Sequence, residues 1–346
     1  MLRKHKPLVS IIVCHHVGDL LFDFIRSVGN SNFHDYEIIV VTSNDELSTE
    51  GIDGCSVQHS VAMPAEKRNI GARIARGKYL AFFDDDVEIC PSTLQEMLNV
   101  IAYQDDISWP IPLGAGMVYG KLYNYERRTR FDEAGGFLTW TGFIWSRAGQ
   151  NIVDEGQFDN VEPIFSGKSA ACMITKKLYM ELDGMDEDFG ILGEESDLAW
   201  RVWLSGHQVL WAPQSVSYHK FNTSLKPVDK YYTSSRVQFN GCRNYITMLL
   251  KNLGKEHLWI VPLHASLWFF AGCAMLITGK LRQGWNIIRG IWYVIRHLPS
   301  ILEKRQRIQE GRKVDERAIW ATISARPPRT YFTERFKRYL SIGLHG

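Results

Sequence analysis

The chain has no Cys-x-x-Cys pair and no cluster of cysteine with histidine; its six cysteines (Cys14, Cys55, Cys90, Cys172, Cys242 and Cys273) are scattered. Such spacing argues against a structural zinc site and gives no support to a disulfide framework. The thiols are therefore expected to be free in a reducing compartment. Net charge is nearly absent as well, +2 from 40 basic and 38 acidic residues over 346 positions, which argues against a nucleic-acid partner. The apolar stretch Leu8–Cys14 is too short for a signal peptide and runs at once into His15-His16. The body of the protein is expected on the cytoplasmic side. With 45% hydrophobic and 23% charged residues, disordered and low-complexity classes are excluded.

The small net charge hides an asymmetry. From Gly279 to the end there are 15 Lys+Arg against 5 Asp+Glu, so a net +10 tail follows a body of net −8. A basic tail of this kind suits an anionic surface such as phospholipid headgroups.

Along the first hundred residues two hydrophobic periods alternate. Leu8–Val13, Tyr36–Val41 and Tyr79–Phe83 are continuous apolar runs, the pattern of strands buried on both faces, with a weaker strand near Cys55–His59. Between them Asp19–Val28, Pro64–Arg76 and the stretch after Pro91 have helical spacing. Alternation of this kind predicts βαβ units and a Rossmann-like, mostly parallel central sheet with helices on both faces, an α/β fold. Ligands bind beyond the carboxyl ends of such strands, where Thr42–Asp45 and Asp84–Asp86 fall. Residues 105–165, rich in Gly, Trp and Tyr, are expected to form loops and short antiparallel strands. Glu194–Gly206 has helical spacing, and Gln208–Trp211 reads as a strand. Leu258–Thr278 contains 21 residues without formal charge, long enough to cross a bilayer core. It is followed by a broad apolar face from Trp285 to Leu298, with Arg282, Arg289 and Arg296 expected on the other side of that helix.

Three features carry chemistry. Asp84-Asp85-Asp86 follows a buried strand, and clustered carboxylates call for a counter-cation, most naturally a hard divalent metal that leaves positions for phosphates. Gly193-Glu194-Glu195-Ser196-Asp197 gathers carboxylates at a helix N-terminus, where one of them can take a proton from an attacking hydroxyl. His219 follows the carboxylate helix by one strand, as a third metal ligand would.

In order along the chain, these motifs resemble family 2 glycosyltransferases of the GT-A fold, nearest the rhamnosyltransferase-like branch. The donor half (about 7–105) carries the resemblance in Val9–Val13, Glu37–Val41, Ala65-Glu66-Lys67-Arg68-Asn69-Ile70-Gly71 and Phe83-Asp84-Asp85-Asp86. The acceptor half (about 106–250) carries it in Asp132-Glu133-Ala134-Gly135-Gly136, Gly156-Gln157-Phe158-Asp159, Phe165-Ser166-Gly167, Glu194–Arg201, Pro213–His219 and Arg243-Asn244. A transferase domain over 1–250 and a membrane-associating helical region over 251–346 are therefore expected. The resemblance implies an inverting, metal-dependent transfer from a nucleotide-diphosphate sugar, dTDP-rhamnose or a UDP-sugar, to a hydroxyl of a saccharide. The acceptor would be polyprenyl-diphosphate-linked, in cell-surface polysaccharide synthesis. Mn²⁺ or Mg²⁺ would be held by Asp84, Asp86 and His219, and the donor by Thr42, Asp45, Arg68, Asp84 and Asp85. Glu195, with Glu194 beside it, stands where the family usually has a catalytic aspartate, and Asp183-Gly184 where Gly-Gly is frequent. The expected location is the cytoplasmic face of the inner membrane, peripheral or single-span. Two other readings are a transferase-like scaffold with an impaired base and a haloacid-dehalogenase-type phosphohydrolase.

Overall fold

The computed structural model describes residues 6–16, 18–48, 54–102, 114–148, 152–220, 235–328, 331 and 333. Buried apolar runs and helical repeats become elements in the expected order: β1 (Val9–His15), α1 (Leu20–Gly29), β2 (Tyr36–Thr42), β3 (Cys55–His59), α2 (Pro64–Ile74), β4 (Tyr79–Asp84), β5 (Val87–Ile89) and α3 (Thr93–Ala102). The chain continues through β6 (Ala115–Asn124), β7 (Phe131–Glu133), the paired β8 (Gly136–Leu138) and β9 (Ile144–Ser146), and β10 (Glu162–Pro163). Then come β11 (Ala171–Thr175), α4 (Lys176–Glu181), α5 (Glu194–Leu204) and β12 (Gln208–His219).

The central sheet has the order β10-β12-β6-β11-β4-β1-β2-β3. β4, β1, β2 and β3 are parallel, as are β6 and β12. β11 runs antiparallel between β4 and β6, so the sheet is mixed. Val9, Ile11 and Val13 of β1 pack with Phe24 and Val28 of α1 and Met97 and Ile101 of α3. Ile12 faces the other way, against α2. A Cβ on Gly71 would lie 2.5 Å from Ile12, so glycine there lets α2 press its polar first turns against the ends of β1 and β2.

Residues 105–165 depart from expectation. Of the described part, β6 is a ten-residue strand at the heart of the sheet. Its sequence, Ala-Gly-Met-Val-Tyr-Gly-Lys-Leu-Tyr-Asn, lacks a continuous apolar run because Gly116 and Gly120 are crowded by neighbours and because Lys121 is buried between Asp154 and Asp159, at 2.7 and 2.6 Å. β12 also runs on past Trp211 to His219, with an irregularity between Ala212 and Val216.

The chain divides into two compact units, residues 1–136 with 146–220 and residues 137–145 with 221–346. The second contains α6 (Ser235–Asn252), α7 (Ile260–Ile277), α8 (Leu281–Arg296), α9 (Leu298–Glu310) and α10 (Glu316–Ile323). Residues 235–250, expected with the transferase half, pack instead among these helices, because Cys242 and Ile246 bury their apolar face with Ile287, Val294 and Ile301. Arg305 and Arg312 donate to the carbonyls of Leu250, Leu253 and Asn252. They close the C-terminus of α6, whose last carbonyls lack partners within the helix.

Candidate metal and carboxylate site

The carboxyl ends of β1, β2 and β4 share one edge of the sheet, and β4 ends at Asp84. Asp85 and Asp86 turn the chain into β5, which pairs antiparallel with the end of β12, His219 opposite Val87. The Lys220 amide donates to the Asp86 carbonyl at 2.9 Å. That pairing is why a histidine 133 positions downstream reaches the aspartates. Ligand atoms of Asp84, Asp86 and His219 all lie within 4.8 Å of one another. Two carboxylates and an imidazole form a donor set that fits a hard or borderline divalent cation, and the buried third ligand gives the triad a fixed wall.

His219 is held from behind. Its Nδ1 is 2.8 Å from Asp132 Oδ2, and Lys168 Nζ donates to Asp132 Oδ1 at 2.6 Å. Burial alone would raise the Asp132 carboxyl, but Lys168 and His219 more than offset it and hold it low. Burial likewise opposes charge on the ring, yet Asp86 and Asp132 raise His219 to about 10. Without a cation the two carboxylates favour a charged ring, with Nε2 3.2 Å from Asp86 Oδ1; as a metal ligand that nitrogen would have to be unprotonated. A carboxylate behind a ligating histidine is the usual orienting partner of a metal site.

Asp85 turns away from this triad. Its carboxylate lies 2.6 Å from Nδ1 of the buried His15 at the end of β1. Lys67, also buried, donates to the His15 carbonyl and to Ser43 Oγ, each at 2.6 Å, stitching the ends of β1 and β2 together. Thr42 is buried and accepts from the Asn44 amide at 2.9 Å, so its hydroxyl shapes the turn. Asp45 lies on the surface, 91% exposed and 3.9 Å from His59.

Arg68 is a bridge. Expected beside the nucleotide, it is buried, with Nη2 2.8 Å from Asp84 Oδ1 and Nη1 3.0 Å from Glu194 Oε1. One planar group therefore joins the aspartate cluster to the N-terminus of α5. That helix begins after Gly193, whose φ of 89° requires the left-handed region. Leu192 is also left-handed, at φ 77°, a conformation that costs a bulky side chain energy and gathers at functional sites. Within the first turn Asp197 is engaged by Arg201 at 2.9 Å. Burial, then the adjacent Glu194 carboxylate, raise Glu195 above the usual carboxylate range, to about 8. Burial raises Glu194 too, although Arg68 works against it.

The structure thus unites Asp84, Asp86 and His219, ties Asp84 to Glu194 through Arg68, and keeps Asp45 at the surface. The sequence reading missed the roles of Asp132, Lys168, His15 and Lys67. Nothing local in the sequence distinguishes Lys67 or Lys168; the fold alone brings them to the site.

A mixed sheet with this edge and this carboxylate helix defines a GT-A fold. A family model described as glycosyltransferase-like family 2 matches residues 48–262, and the chain belongs to that family. Among curated proteins it is 26% identical over 238 residues to the uncharacterized protein y4gI of Sinorhizobium fredii, covering 63% of this chain and 25% of that one. It is 26% identical over 167 residues to N-acetylgalactosaminyltransferase 4 of Drosophila melanogaster, covering 46% and 24%. The chain spans about a quarter of the length of the curated relatives it matches. Among solved structures, GalNAc-T7 with UDP, GalNAc and Mn²⁺ superposes with a TM-score of 0.54 at 17% identity, covering 84% of this chain and 58% of the other. Residues 1–349 of S. aureus TarS give 0.51 at 13% identity, covering 94% and 92%. Family membership removes the phosphohydrolase alternative.

Proposed function

We propose that the chain transfers a sugar from a nucleotide-diphosphate donor to a saccharide hydroxyl, with inversion at the anomeric carbon. The observation that carries this reading is the Arg68 guanidinium, which bonds Asp84 and Glu194 at once. A metal-capable triad and a carboxylate pair therefore lie within the reach of one side chain. Asp84, Asp86 and His219 would hold Mn²⁺ or Mg²⁺, the imidazole favouring Mn²⁺. Bound there, the cation would offset charge on the departing nucleoside diphosphate. Glu194 is engaged by Arg68 and Asp197 by Arg201, so Glu195 is the acid of that turn that takes the acceptor proton. The UDP and Mn²⁺ named with GalNAc-T7 favour a UDP-sugar over dTDP-rhamnose as donor. A lipid-linked acceptor at the cytoplasmic face of a membrane suits the six free thiols and the apolar C-terminal helices.

Thermal unfolding with Mn²⁺ and a panel of nucleotide-sugars tests the donor class. A donor at a hundred times its Kd stabilises the folded chain by about 2.7 kcal/mol. Asp86→Ala should lose both the metal and the donor shift. Glu195→Gln should keep the donor shift and lose turnover by about 10²–10⁴-fold. A Glu195→Gln enzyme with near-normal turnover removes that residue from the base role; a wild type that binds donor but neither transfers nor hydrolyses it favours the scaffold reading. Since Glu195 acts ionised and its pKa is raised, kcat/KM should fall as pH drops through the neutral range, well above the usual carboxylate limb.

A further inference from the structure

The C-terminal unit exposes apolar side chains on the outside of its helices. On α8, Ile287, Gly290 and Val294 face inward, whereas Trp285, Trp292 and Ile295 are 59%, 62% and 55% exposed. At roughly 100° per residue, these three fall with Leu281 on one stripe opposite the buried face. Arg282, Arg289 and Arg296 run along one edge of that stripe, rather than on the far side as the sequence suggested. On α7, Ile260, His264, Trp268 and Met275 are buried, and Phe269, Phe270 and Ile277, with Trp259 just before the helix, are exposed. The two helices form an antiparallel hairpin through Gly279-Lys280, with Gly272 backing onto Gly284.

We propose that this hairpin docks, lying flat, on the surface of an anionic phospholipid bilayer. Exposed tryptophan and phenylalanine suit the boundary between headgroups and acyl chains, and an arginine edge suits anionic headgroups. The net +10 of residues 279–346 adds long-range attraction of the same sign. The segment Lys255–Ile277, 23 residues, is long and apolar enough to cross a membrane. Its surroundings argue against that. In the second turn of α7, His264 Nδ1 lies 2.7 Å from the Thr141 carbonyl, and its Nε2 accepts from Trp268 Nε1 of the next turn at 2.9 Å, so this side of the helix is packed and hydrogen-bonded against protein. A crossing by α7 would also carry α8 into hydrocarbon, with its three arginines spread over about 21 Å and Arg289 near mid-depth, where a charge is disfavoured. Lying flat leaves all three at headgroup level. The inference does not depend on the donor or on the chemistry proposed above.

The test uses the full chain with vesicles of phosphatidylcholine, with and without phosphatidylglycerol. Binding should require phosphatidylglycerol and weaken as salt is added, and lipids brominated at shallow acyl positions should quench tryptophan fluorescence. Trp285→Glu combined with Trp292→Glu should cut partitioning by about tenfold or more while leaving the melting temperature and the donor-induced thermal shift in place. Arg282→Gln, Arg289→Gln and Arg296→Gln together should erase the preference for anionic vesicles. Resistance to alkaline carbonate extraction from native membranes would overturn the flat geometry in favour of a span. Equal binding to neutral vesicles would overturn the headgroup assignment. Absence of vesicle binding, with or without a dimer that the tryptophan substitutions dissolve, would overturn the lipid surface as occupant.

Discussion

The two units of this chain break the inside-outside rule in opposite directions. The sheet-containing unit places charge inside: Arg68, Glu194, Asp132 and Lys121 are all buried, each with a partner of opposite sign. The helical unit places hydrocarbon outside, with Phe270, Trp285 and Trp292 each more than half exposed. Both are unfavourable in isolation, since a buried ion loses hydration and an exposed apolar face orders water. Their meanings differ. A buried charge is tolerated only where its partner is already in place, so such a network marks a site built in advance. An exposed apolar face has its partner outside the molecule, and it marks a surface that meets something else.

The largest expected effect comes from cutting the buried network at its centre. Arg68→Leu leaves Glu194 buried without its guanidinium and should destabilise the fold by about 3–5 kcal/mol in urea unfolding. Adding Glu194→Leu should return much of that stability, because a buried ion pair replaced by hydrocarbon of similar volume is often neutral or better. Turnover should not return, since Asp84 has lost its partner and Glu195 its neighbour. If the double variant were both stable and active, Arg68 would be a packing residue and the contrast between the units would fail.

A smaller effect is expected behind the metal triad. Asp132→Asn keeps the shape of the contact to His219 Nδ1 but removes the carboxylate that fixes which ring nitrogen faces Asp86. Mn²⁺ affinity by calorimetry should fall by about 10–100-fold, a range typical of lost orienting partners, with most activity recovered at saturating metal. Unchanged Mn²⁺ affinity would confine Asp132 to holding Lys168 and the β7 edge.

Much of this division was legible in the chain. Val9–Val13, Tyr36–Val41 and Tyr79–Phe83 announced buried strands because β-branched and aromatic residues there need cover on both faces, and Asp84–Asp86 stood out because three carboxylates follow such a run. His219 was legible as a third ligand through order alone. Asp132 and Lys168 were not, since their approach depends on β7 pairing with β6 and on the irregular stretch of β12 that aims His219 at β5. The β6–β7 pairing is local, but those of β12 with β6 and β5 join positions about 90 and 130 apart in sequence, and no local period encodes them. β6 itself was hidden by its buried lysine and crowded glycines. The arginines of α8 were legible by their spacing, but the side they take was not. Ile287 and Trp285 look equivalent in a hydrophobic pattern, and only packing against α6 and α7 assigns one inward and the other outward.

The smallest effect lies where the chain departs from the pattern it resembles without changing the site. Asp183, in the position where the resemblance leads one to expect glycine, adopts φ 58°, and Gly184 follows at φ 65°, where an added Cβ would lie 2.4 Å from Asn69 Oδ1. Asp is among the few non-glycine residues that enter the left-handed region at modest cost, and this one is exposed. Asp183→Gly should therefore stabilise the fold slightly, by about 0.5–1 kcal/mol, because relief of the left-handed backbone outweighs the added freedom of the unfolded chain. Among the described residues, no site side chain bonds to the Asp183 side chain, so turnover and Mn²⁺ affinity should stay at the wild-type value. A loss of activity with gained stability would mean that the turn before α5 acts on the carboxylate helix through its backbone, and would extend the pre-built network one loop further than its buried charges reach.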